Sequence, residues 1–210
     1  MVSRENVITW INALHTVYAD NRQYLTDLDA AIGDADHGVN MDRGFSHVVR
    51  EWDPTGIPDI GGILKTTALL LIKTVGGAAG PLYGTFFLRA SAVCAGKQAL
   101  DAGDVIALLQ AGVEGVMQRG KAQPNDKTML DALIPALERM QQLFSQGAGL
   151  DVLLPAGAAA ARKGMTDTIP LRARKGRASY LGDRSIGHPD PGATSACLML
   201  EAMAESFSAH

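Results

Sequence analysis

Residues 3–20 read SRENVITWINALHTVYAD and establish the helical character of the chain. Apolar residues recur in it three or four positions apart, on one face of an α-helix: Val7, Ile11, Leu14 and Tyr18. Ser3 precedes the first turn, a position typical of a helix N-cap. The apolar pattern continues past Asn21, so the sequence predicts one or two opening helices that end near Gly33.

Seven further stretches are helical in composition, rich in Ala, Leu, Met, Gln and Glu: Asn40–Arg50, Asp59–Val75, Pro81–Lys97, Asp104–Arg119, Thr128–Phe144, Leu150–Thr166 and Pro191–Phe207. Strand signals are nearly absent, since the one β-branched run, around Ile169, is short and marked by proline. We therefore expect an all-α fold of eight helices, packed antiparallel in a bundle or closed ring because the turns are short. No linker or repeat divides the chain, which predicts a single domain over residues 1–210.

Composition and charge exclude several classes of function. The 210 residues are 47% apolar, and 19 Lys+Arg against 22 Asp+Glu give a net charge of -3. No global field therefore favours nucleic acid or an anionic membrane. The longest tract without a charged residue, Thr74–Leu88, is shorter than the roughly 20 residues that cross a bilayer and is interrupted by glycines. We expect no direct nucleic-acid partner and no membrane partner.

The cysteines and the N-terminus bear on the compartment. Cys94 and Cys197 lie far apart in apolar, helical sequence. This is typical of small buried hydrophobes in a reducing compartment, not of a disulfide framework. The N-terminus lacks the charged-then-apolar order of a signal peptide. The sequence predicts a cytoplasmic protein.

Three carboxylates crowd residues 29–41, DAAIGDADHGVNM. If Asp29 lies in a last helical turn and Gly33 ends that helix as a left-handed cap, Asp34 and Asp36 can both face Asp29. Carboxylates this close repel unless a cation lies between them, and hard oxygen ligands suit Mg²⁺ or Ca²⁺. Turn formation and helix capping are the alternative roles of such aspartates.

Two other carboxylate motifs fit this stretch poorly. An EF-hand loop would need glycine where Val39 stands and a bidentate glutamate where Phe45 stands. A phosphatase with an aspartyl nucleophile would share the Asp34 and Asp36 pair, but that motif should end a buried strand. Here the pair follows a predicted helix, so a divalent-cation site is the preferred interpretation.

A glycine-rich turn lies between two predicted helices, in residues 76–85, GGAAGPLYGT. Its glycines would let backbone N–H groups approach an anion, and a helix starting near Pro81 would direct its positive end at a phosphate. Tight packing of the two helices is the alternative explanation.

Two more helix starts carry capping residues. Residues 120–131, GKAQPNDKTMLD, predict Thr128 as N-cap with Asp131 at the third position of the helix. Near the C-terminus, Asp190 is predicted as a cap and Pro191 as the first helical residue. A shared anion would explain why several helix starts carry glycine and aspartate close to one basic loop.

That basic loop is the longest irregular segment, Thr168–Pro189. It contains five cations: Arg172, Arg174, Lys175, Arg177 and Arg184. A connection this long inside a compact domain is often functional. The alternative is that the five cations form an ordinary solvated basic surface.

Together these motifs closely resemble the ADP-binding L subunits of bacterial dihydroxyacetone kinases, those that draw phosphate from the phosphoenolpyruvate phosphotransferase system. The resemblance spans nearly the whole chain and is carried by residues 29–41, 76–84, 120–129, 176–182 and 190–193. The acidic triad shows no departure. Ala79 stands where some relatives have a small hydroxyl residue, which a backbone contact would tolerate.

The resemblance implies a closed antiparallel eight-helix barrel with a nucleotide site at one end. It implies two Mg²⁺ ions held by Asp29, Asp34 and Asp36. Nucleotide contacts would come from His37, Gly38, Val39, Asn40, Ala78, Ala79, Gly120, Met129, Arg177, Asp190, Pro191 and Gly192. Of these, Arg177 would also serve phosphoryl transfer, a reaction that depends on positioning and on neutralising charge.

The resemblance also implies a reaction and partners. Tightly bound ADP would be converted to ATP by a phosphohistidine on an M subunit, and the ATP would phosphorylate dihydroxyacetone held on a K subunit. No separate sugar-binding domain fits in 210 residues, which agrees with a partner requirement. Two alternatives stay open: a related nucleotide-binding domain serving another acceptor, as in the N-terminal part of fatty acid kinases, and a nucleotide-loaded module that binds a transcriptional regulator.

Overall fold

The computed structural model describes residues 1–208 and confirms the all-α class. Within them lie nine α-helices: α1 (Arg4–Asp20), α2 (Arg22–Ile32), α3 (His37–Glu51), α4 (Ile60–Thr74), α5 (Ala79–Val93), α6 (Ala102–Gly120), α7 (Leu130–Ser145), α8 (Leu150–Asp167) and α9 (Pro191–Ser208). Two short 3₁₀ helices, Pro54–Gly56 and Arg177–Ser185, accompany them. The expected count of eight is not met, because Asn21 divides the opening stretch into α1 and α2 and donates its side-chain amide to Val17 O at 2.9 Å.

The start of α1 confirms the predicted cap and adds a small sheet. Ser3 Oγ accepts from the backbone N–H of Asn6 at 3.2 Å, and Asn6 Oδ1 accepts from the backbone N–H of Ser3 at 2.9 Å, which forms a capping box. Directly before it, β1 (Val2–Ser3) pairs antiparallel with β2 (Ala99–Leu100). Strands of two residues carry no periodicity, so the sequence did not predict them.

Helix contacts follow the chain and then return to its beginning. From α3 onward each helix packs on its successor as far as α9, while α9 and α3 both pack on α1. The second helix, α2, lies against α3 and α9. Inside this circuit an aromatic cluster occupies the core, with neighbouring ring centroids 4.8 to 6.3 Å apart: Trp10, Tyr18, Phe45, Phe86, Phe87 and Phe207.

Several helix ends differ from the expected ones by a few residues. The fifth helix starts at Ala79 because proline is tolerated in a first turn, which puts Pro81 at the third position. It ends at Val93, before a turn in which Gly96 has φ +75°. Cys94 and Cys197 are both buried and unpaired, as predicted. Among the described residues, none of the helices combines the length and apolar character needed to cross a bilayer.

Candidate functional site

A cavity of about 390 Å³ lies where the N-terminal ends of α3, α5, α7 and α9 meet. Each of these helices places its first residue in the wall: His37, Ala79, Leu130 and Pro191. Helix α2 adds Asp29 and Ile32, and the basic loop adds residues 175–178. Because the positive ends of four helix dipoles converge, the cavity favours an anion.

Most of the predicted site residues line this cavity. They are Asp29, Asp34, Asp36, His37, Asn40, Ala78, Ala79, Gly120, Met129, Arg177, Asp190, Pro191 and Gly192. Gly38 and Val39 are not among the lining residues. Instead Gly38 packs on α2, since a Cβ there would lie 2.0 Å from Arg22 O.

The three predicted aspartates form one cluster. Each offers a carboxylate oxygen, and these oxygens lie within 4.8 Å of one another. Asp29 is buried, with 9% of its surface exposed, and its Oδ2 accepts from the backbone N–H groups of Asp36 at 2.9 Å and His37 at 3.1 Å. The turn between α2 and α3 thus wraps around one oxygen of Asp29 and brings the other two carboxylates to it.

The left-handed residue in this turn is not the predicted one. Gly33 follows α2 as its C-cap but has φ -143° and ψ -138°, so the expected left-handed cap was wrong. The positive φ, 60°, belongs to Ala35. Glycine is needed at position 33 for space, because a Cβ would lie 2.0 Å from Asp29 Oδ1.

Arg177 comes to the acidic cluster from the basic loop. Its Nε lies 2.8 Å from Asp34 Oδ2, and 68% of its side chain is exposed. The loop is more ordered than the sequence predicted, since residues 177–185 form 3₁₀ turns, interrupted at Gly182 with φ +57°. Near its tip Tyr180 is 88% exposed. A guanidinium at this place can contact an anion that a cation bound to the aspartates would hold.

His37 is fixed by a hydrogen-bond network that the sequence did not predict. Its Nε2 lies 2.8 Å from Ser195 Oγ, which also lies 2.7 Å from the hydroxyl of Tyr83. Burial lowers the pKa of His37, against the attraction of Asp29 and Asp36, and burial raises the pKa of Tyr83. The imidazole is therefore a neutral, oriented group at the cavity wall.

The glycine-rich turn packs over Asn40. Asn40 Oδ1 accepts from the guanidinium of Arg43 at 2.7 Å, and a Cβ on Gly76 would lie 2.8 Å from that oxygen. Gly77 has φ +63°, which favours glycine. Beyond the turn, α5 has Ala78 at its N-cap with no side-chain cap, so its first N–H groups can serve an anion. Helix α3 also lacks a side-chain cap from its N-cap residue, but the N–H of His37 donates to Asp29 Oδ2 at 3.1 Å. In α7 the N–H of Leu130 donates to Thr128 Oγ1 at 3.2 Å, and in α9 Asp190 accepts from the N–H of Ala193 at 2.7 Å, which confirms the predicted cap.

The connection between α6 and α7 is held by carboxylates. The prediction that Thr128 is the N-cap of α7 was wrong, because the helix starts at Leu130 and Met129 stands at the cap position. Asp131 accepts from the backbone N–H groups of Asn125 at 2.5 Å and of Thr128 at 2.7 Å. These bonds stabilise a strained segment in which Lys121, Asn125 and Lys127 have φ of 49°, 68° and 64°.

Two buried ionisable groups complete the wall. Asp190 is 8% exposed, and burial raises its pKa to about 7. Lys127 is 1% exposed; burial lowers its pKa, while the negative charge of Asp190 opposes that shift. No local pattern predicted the burial of Lys127, since a lysine in a polar loop is ordinarily exposed. Its ammonium donates to Leu171 O at 3.1 Å and to Ser185 O at 2.6 Å.

The donor set fits a divalent cation together with a phosphorylated anion. Three clustered carboxylates supply hard oxygen ligands, and the convergent helix starts, Asn40 and Arg177 supply hydrogen-bond donors. The remaining wall is apolar and could face a ring system: Ile32, Leu82, Val116, Ala122 and Met129.

Comparison with known proteins gives a consistent set of relatives. The family described as DAK2 domain matches residues 31–205. The chain is 45% identical, over 97% of both chains, to the "PEP-dependent dihydroxyacetone kinase, ADP-binding subunit DhaL" of Escherichia coli K12. It is 38% identical, over 98% of both, to the "PTS-dependent dihydroxyacetone kinase, ADP-binding subunit DhaL" of Lactococcus lactis.

A solved structure has the same fold. The chain is similar to the dihydroxyacetone kinase from C. freundii in complex with AMP-PNP and Mg²⁺, with a TM-score of 0.68 and 25% identity. The match covers 95% of this chain and 33% of that one, so the chain corresponds to about a third of the larger kinase.

Proposed function

Because the chain belongs to the DAK2 domain family, we propose that it is the ADP-binding subunit of a dihydroxyacetone kinase, a phosphotransferase. The observation that carries the proposal is the meeting of the acidic triad, the uncapped helix starts and Arg177 around one cavity. Phosphoryl transfer requires positioning and charge neutralisation above all, and these groups supply both.

We assign each group a task at the nucleotide. Asp29, Asp34 and Asp36 hold two Mg²⁺ ions. The N–H groups at the starts of α3 and α5, with Asn40, bind phosphate, and Arg177 neutralises charge on the phosphoryl group in transit. His37 adds a fixed neutral imidazole at the phosphates, and the backbone at 38–39 completes that contact.

The base is assigned to the apolar part of the wall, and the ribose is assigned, with the phosphates, to residues 37–40 and to Ala78 and Ala79. Gly120 and Met129 flank the base, since both line the cavity, whose wall includes the apolar side chains of Leu82 and Val116. Residues 190–192 at the start of α9 complete the pocket. When bound, the nucleotide carries the phosphoryl group between donor and acceptor, and Mg²⁺ neutralises its charge.

The proposal includes the partners that the resemblance implies. A phosphohistidine-carrying M subunit donates to the tightly held ADP, and a K subunit presents dihydroxyacetone to the ATP formed, all in the cytoplasm. The exposed basic loop with Tyr180 at its tip is the surface on which we place partner contact. The order of helix contacts supports a closed eight-helix barrel with α2 outside it. Binding to a transcriptional regulator stays a prediction, tested by capture with and without ADP.

The first experiment is mass spectrometry of the nucleotide released from freshly purified protein. ADP in near-stoichiometric amount is the expected result, and a nucleotide-free protein that does not bind Mg²⁺-ADP would reject the proposal. In the second, the isolated chain is given ATP and dihydroxyacetone. No product should form until the partner subunits are added, and turnover by the chain alone would reject the partner requirement.

A further inference from the structure

Lys127 is a buried lysine whose ammonium has no carboxylate partner within ion-pair distance in the described part of the chain. A buried charge is costly unless hydrogen bonds satisfy it. Here the bonds go to two backbone carbonyls, of Leu171 at 3.1 Å and of Ser185 at 2.6 Å. The contacts are therefore the reason that the charge is tolerated.

These two carbonyls lie on either side of the five cations of the basic loop. Residues 172–184 run between them, and Ser185 Oγ closes the loop from within. That hydroxyl accepts from the backbone N–H of Ala173 at 2.9 Å and donates to Gly182 O at 2.6 Å. Lys127 thus ties both ends of the loop to one point on the α6–α7 connection.

Arg177 lies in the segment that this tie closes, and its own side chain is weakly held. Its side chain is 68% exposed, and its partner Asp34 lies on a different element. The loop has further anchors: backbone bonds from Arg174 N–H to Asp126 O at 3.0 Å and from Gly187 N–H to Ile169 O at 2.8 Å, and an exposed ion pair between Arg172 and Asp183. Ala173 and Ala178 also pack on Ile32 of α2. Exposed ion pairs contribute little to stability.

We propose that Lys127 is a positioning residue that joins the two ends of the basic loop and thereby sets Arg177 over the acidic cluster. The direct contacts of Lys127 are the carbonyls of a cationic loop, and the negative charge of Asp190 favours the ammonium at this place. The effect on loop order is independent of what the protein catalyses. The effect on phosphoryl transfer rests on the proposed function.

Hydrogen exchange of the whole chain tests the structural part. In Lys127→Met, amides of residues 172–185 should exchange roughly tenfold faster or more, since hydrogen bonds from a charged group are lost. Amides of α1 and α9 should keep their protection. The exposed Lys65→Met on α4 is the matched control and should change neither. An unchanged loop, or acceleration spread evenly over all helices, would overturn the proposal.

If Lys127→Met does not fold, Lys127→Gln replaces it. The shorter, neutral amide loses at least one of the two carbonyl contacts, and the same loop-confined acceleration is expected. Unchanged exchange of residues 172–185 in a folded Lys127→Gln would overturn the proposal, and so would acceleration spread evenly over all helices.

A double-mutant cycle in the reconstituted kinase tests the functional part. Arg177→Gln and Lys127→Met should each lower kcat, and the double variant should be no slower than Arg177→Gln alone within about threefold. Fully multiplicative losses would show that Lys127 does not act through Arg177. A loosened loop in a chain that supports no kinase activity would reject the proposed function and leave the tie standing.

Discussion

Two segments of the cavity wall use aspartates in opposite ways. Between α2 and α3, the oxygens of Asp29, Asp34 and Asp36 face one another, and only Asp29 accepts backbone hydrogen bonds. Between α6 and α7, both oxygens of Asp131 accept backbone N–H groups, and Asp126 accepts the N–H of Gln123 at 2.8 Å. The first segment therefore offers carboxylate oxygens that could bind a ligand, whereas the carboxylates of the second segment are hydrogen-bonded to backbone N–H groups.

Both segments use aspartate, so the residue type does not distinguish carboxylates that bind a ligand from those that stabilise the backbone. The hydrogen bonds that each carboxylate accepts make that distinction. A carboxylate that satisfies backbone donors stabilises strained positions such as Asn125 and Lys127. Clustered carboxylates repel one another in the empty site, and a cation that enters between them relieves this repulsion. The two segments should therefore respond oppositely to removal of a charge.

The largest effect is expected for Asp34→Ala. Affinity for Mg²⁺-ADP should fall roughly 1,000-fold or more, on the order of 4 kcal/mol, because a ligand oxygen is lost. The melting temperature of the metal-free protein should stay the same or rise, since repulsion is relieved and the exposed pair with Arg177 contributes little. Calorimetric titration and thermal melts in EDTA check both.

Asp27→Ala, an exposed aspartate on the same helix as Asp29, is the control and should affect neither quantity. Retention of nucleotide by Asp34→Ala after gel filtration would contradict the assignment of the open carboxylates to metal.

Asp190 lies between the two extremes, because it caps α9 with one oxygen while burial raises its pKa to about 7 from an ordinary 3.8. The protonated form is favoured in the folded protein. Its stability contribution is therefore complete below pH 4 and is lost as the pH rises through 7, by ~4 kcal/mol at most.

The measurement is urea unfolding of the nucleotide-free protein from pH 4 to pH 8. Asp190→Asn, which keeps an acceptor for Ala193, should lack this part of the pH dependence and exceed the parent in stability at pH 8. The half-buried cap Asp59→Asn serves as the comparison. Parallel profiles for Asp190→Asn and the parent would show that the buried carboxyl is not the cause.

Asp131→Ala tests the carboxylates that accept backbone N–H groups. Two backbone N–H groups lose their acceptor, so the free energy of unfolding should fall by about 2–4 kcal/mol. Asp126→Ala frees one N–H group and should cost about half as much. Denaturant titrations of both give the ratio, and equal stability of Asp131→Ala and the parent would remove the distinction between the two segments.

The smallest effect is expected for Gly33→Ala. A Cβ 2.0 Å from Asp29 Oδ1 forces that carboxylate to shift, which should weaken Mg²⁺ binding roughly tenfold, the size of effect typical of changes to the groups that orient a metal ligand. Gly56→Ala, where a Cβ meets nothing within 4 Å, should bind normally. If the two variants bind Mg²⁺ equally, crowding at Asp29 does not matter for the site.

Sequence patterns predicted the parts of this molecule that depend on neighbours along the chain. Helix periodicity, the caps at Ser3 and Asp190, and the closeness of the three aspartates follow from residues a few positions apart. The convergence of four helix starts was expected from their shared composition, and the cavity places them together.

Features that depend on distant residues were not predictable in this way. Ser195 appears as a small residue within a helix, yet its hydroxyl joins His37 to Tyr83. Lys127 appears as a loop lysine, and its burial depends on carbonyls 44 and 58 residues away. The space required at Gly33 arises from a side-chain rotamer of Asp29, which no local pattern specifies.

The arrangement of the helices places the cavity at one end of the molecule, so we expect the other end to tolerate substitutions better. All four helix starts that line the cavity belong to one end, and a 15-residue helix places the other end roughly 22 Å away. The connection at residues 146–149 lies there. A Cβ on Gly147 would meet nothing within 4 Å, but its φ of +85° strains any side chain, so the exposed Gln146 is the better point of attachment. A fluorophore or affinity handle attached at Gln146 should leave the site at the other end intact, which offers a way to follow the protein at work.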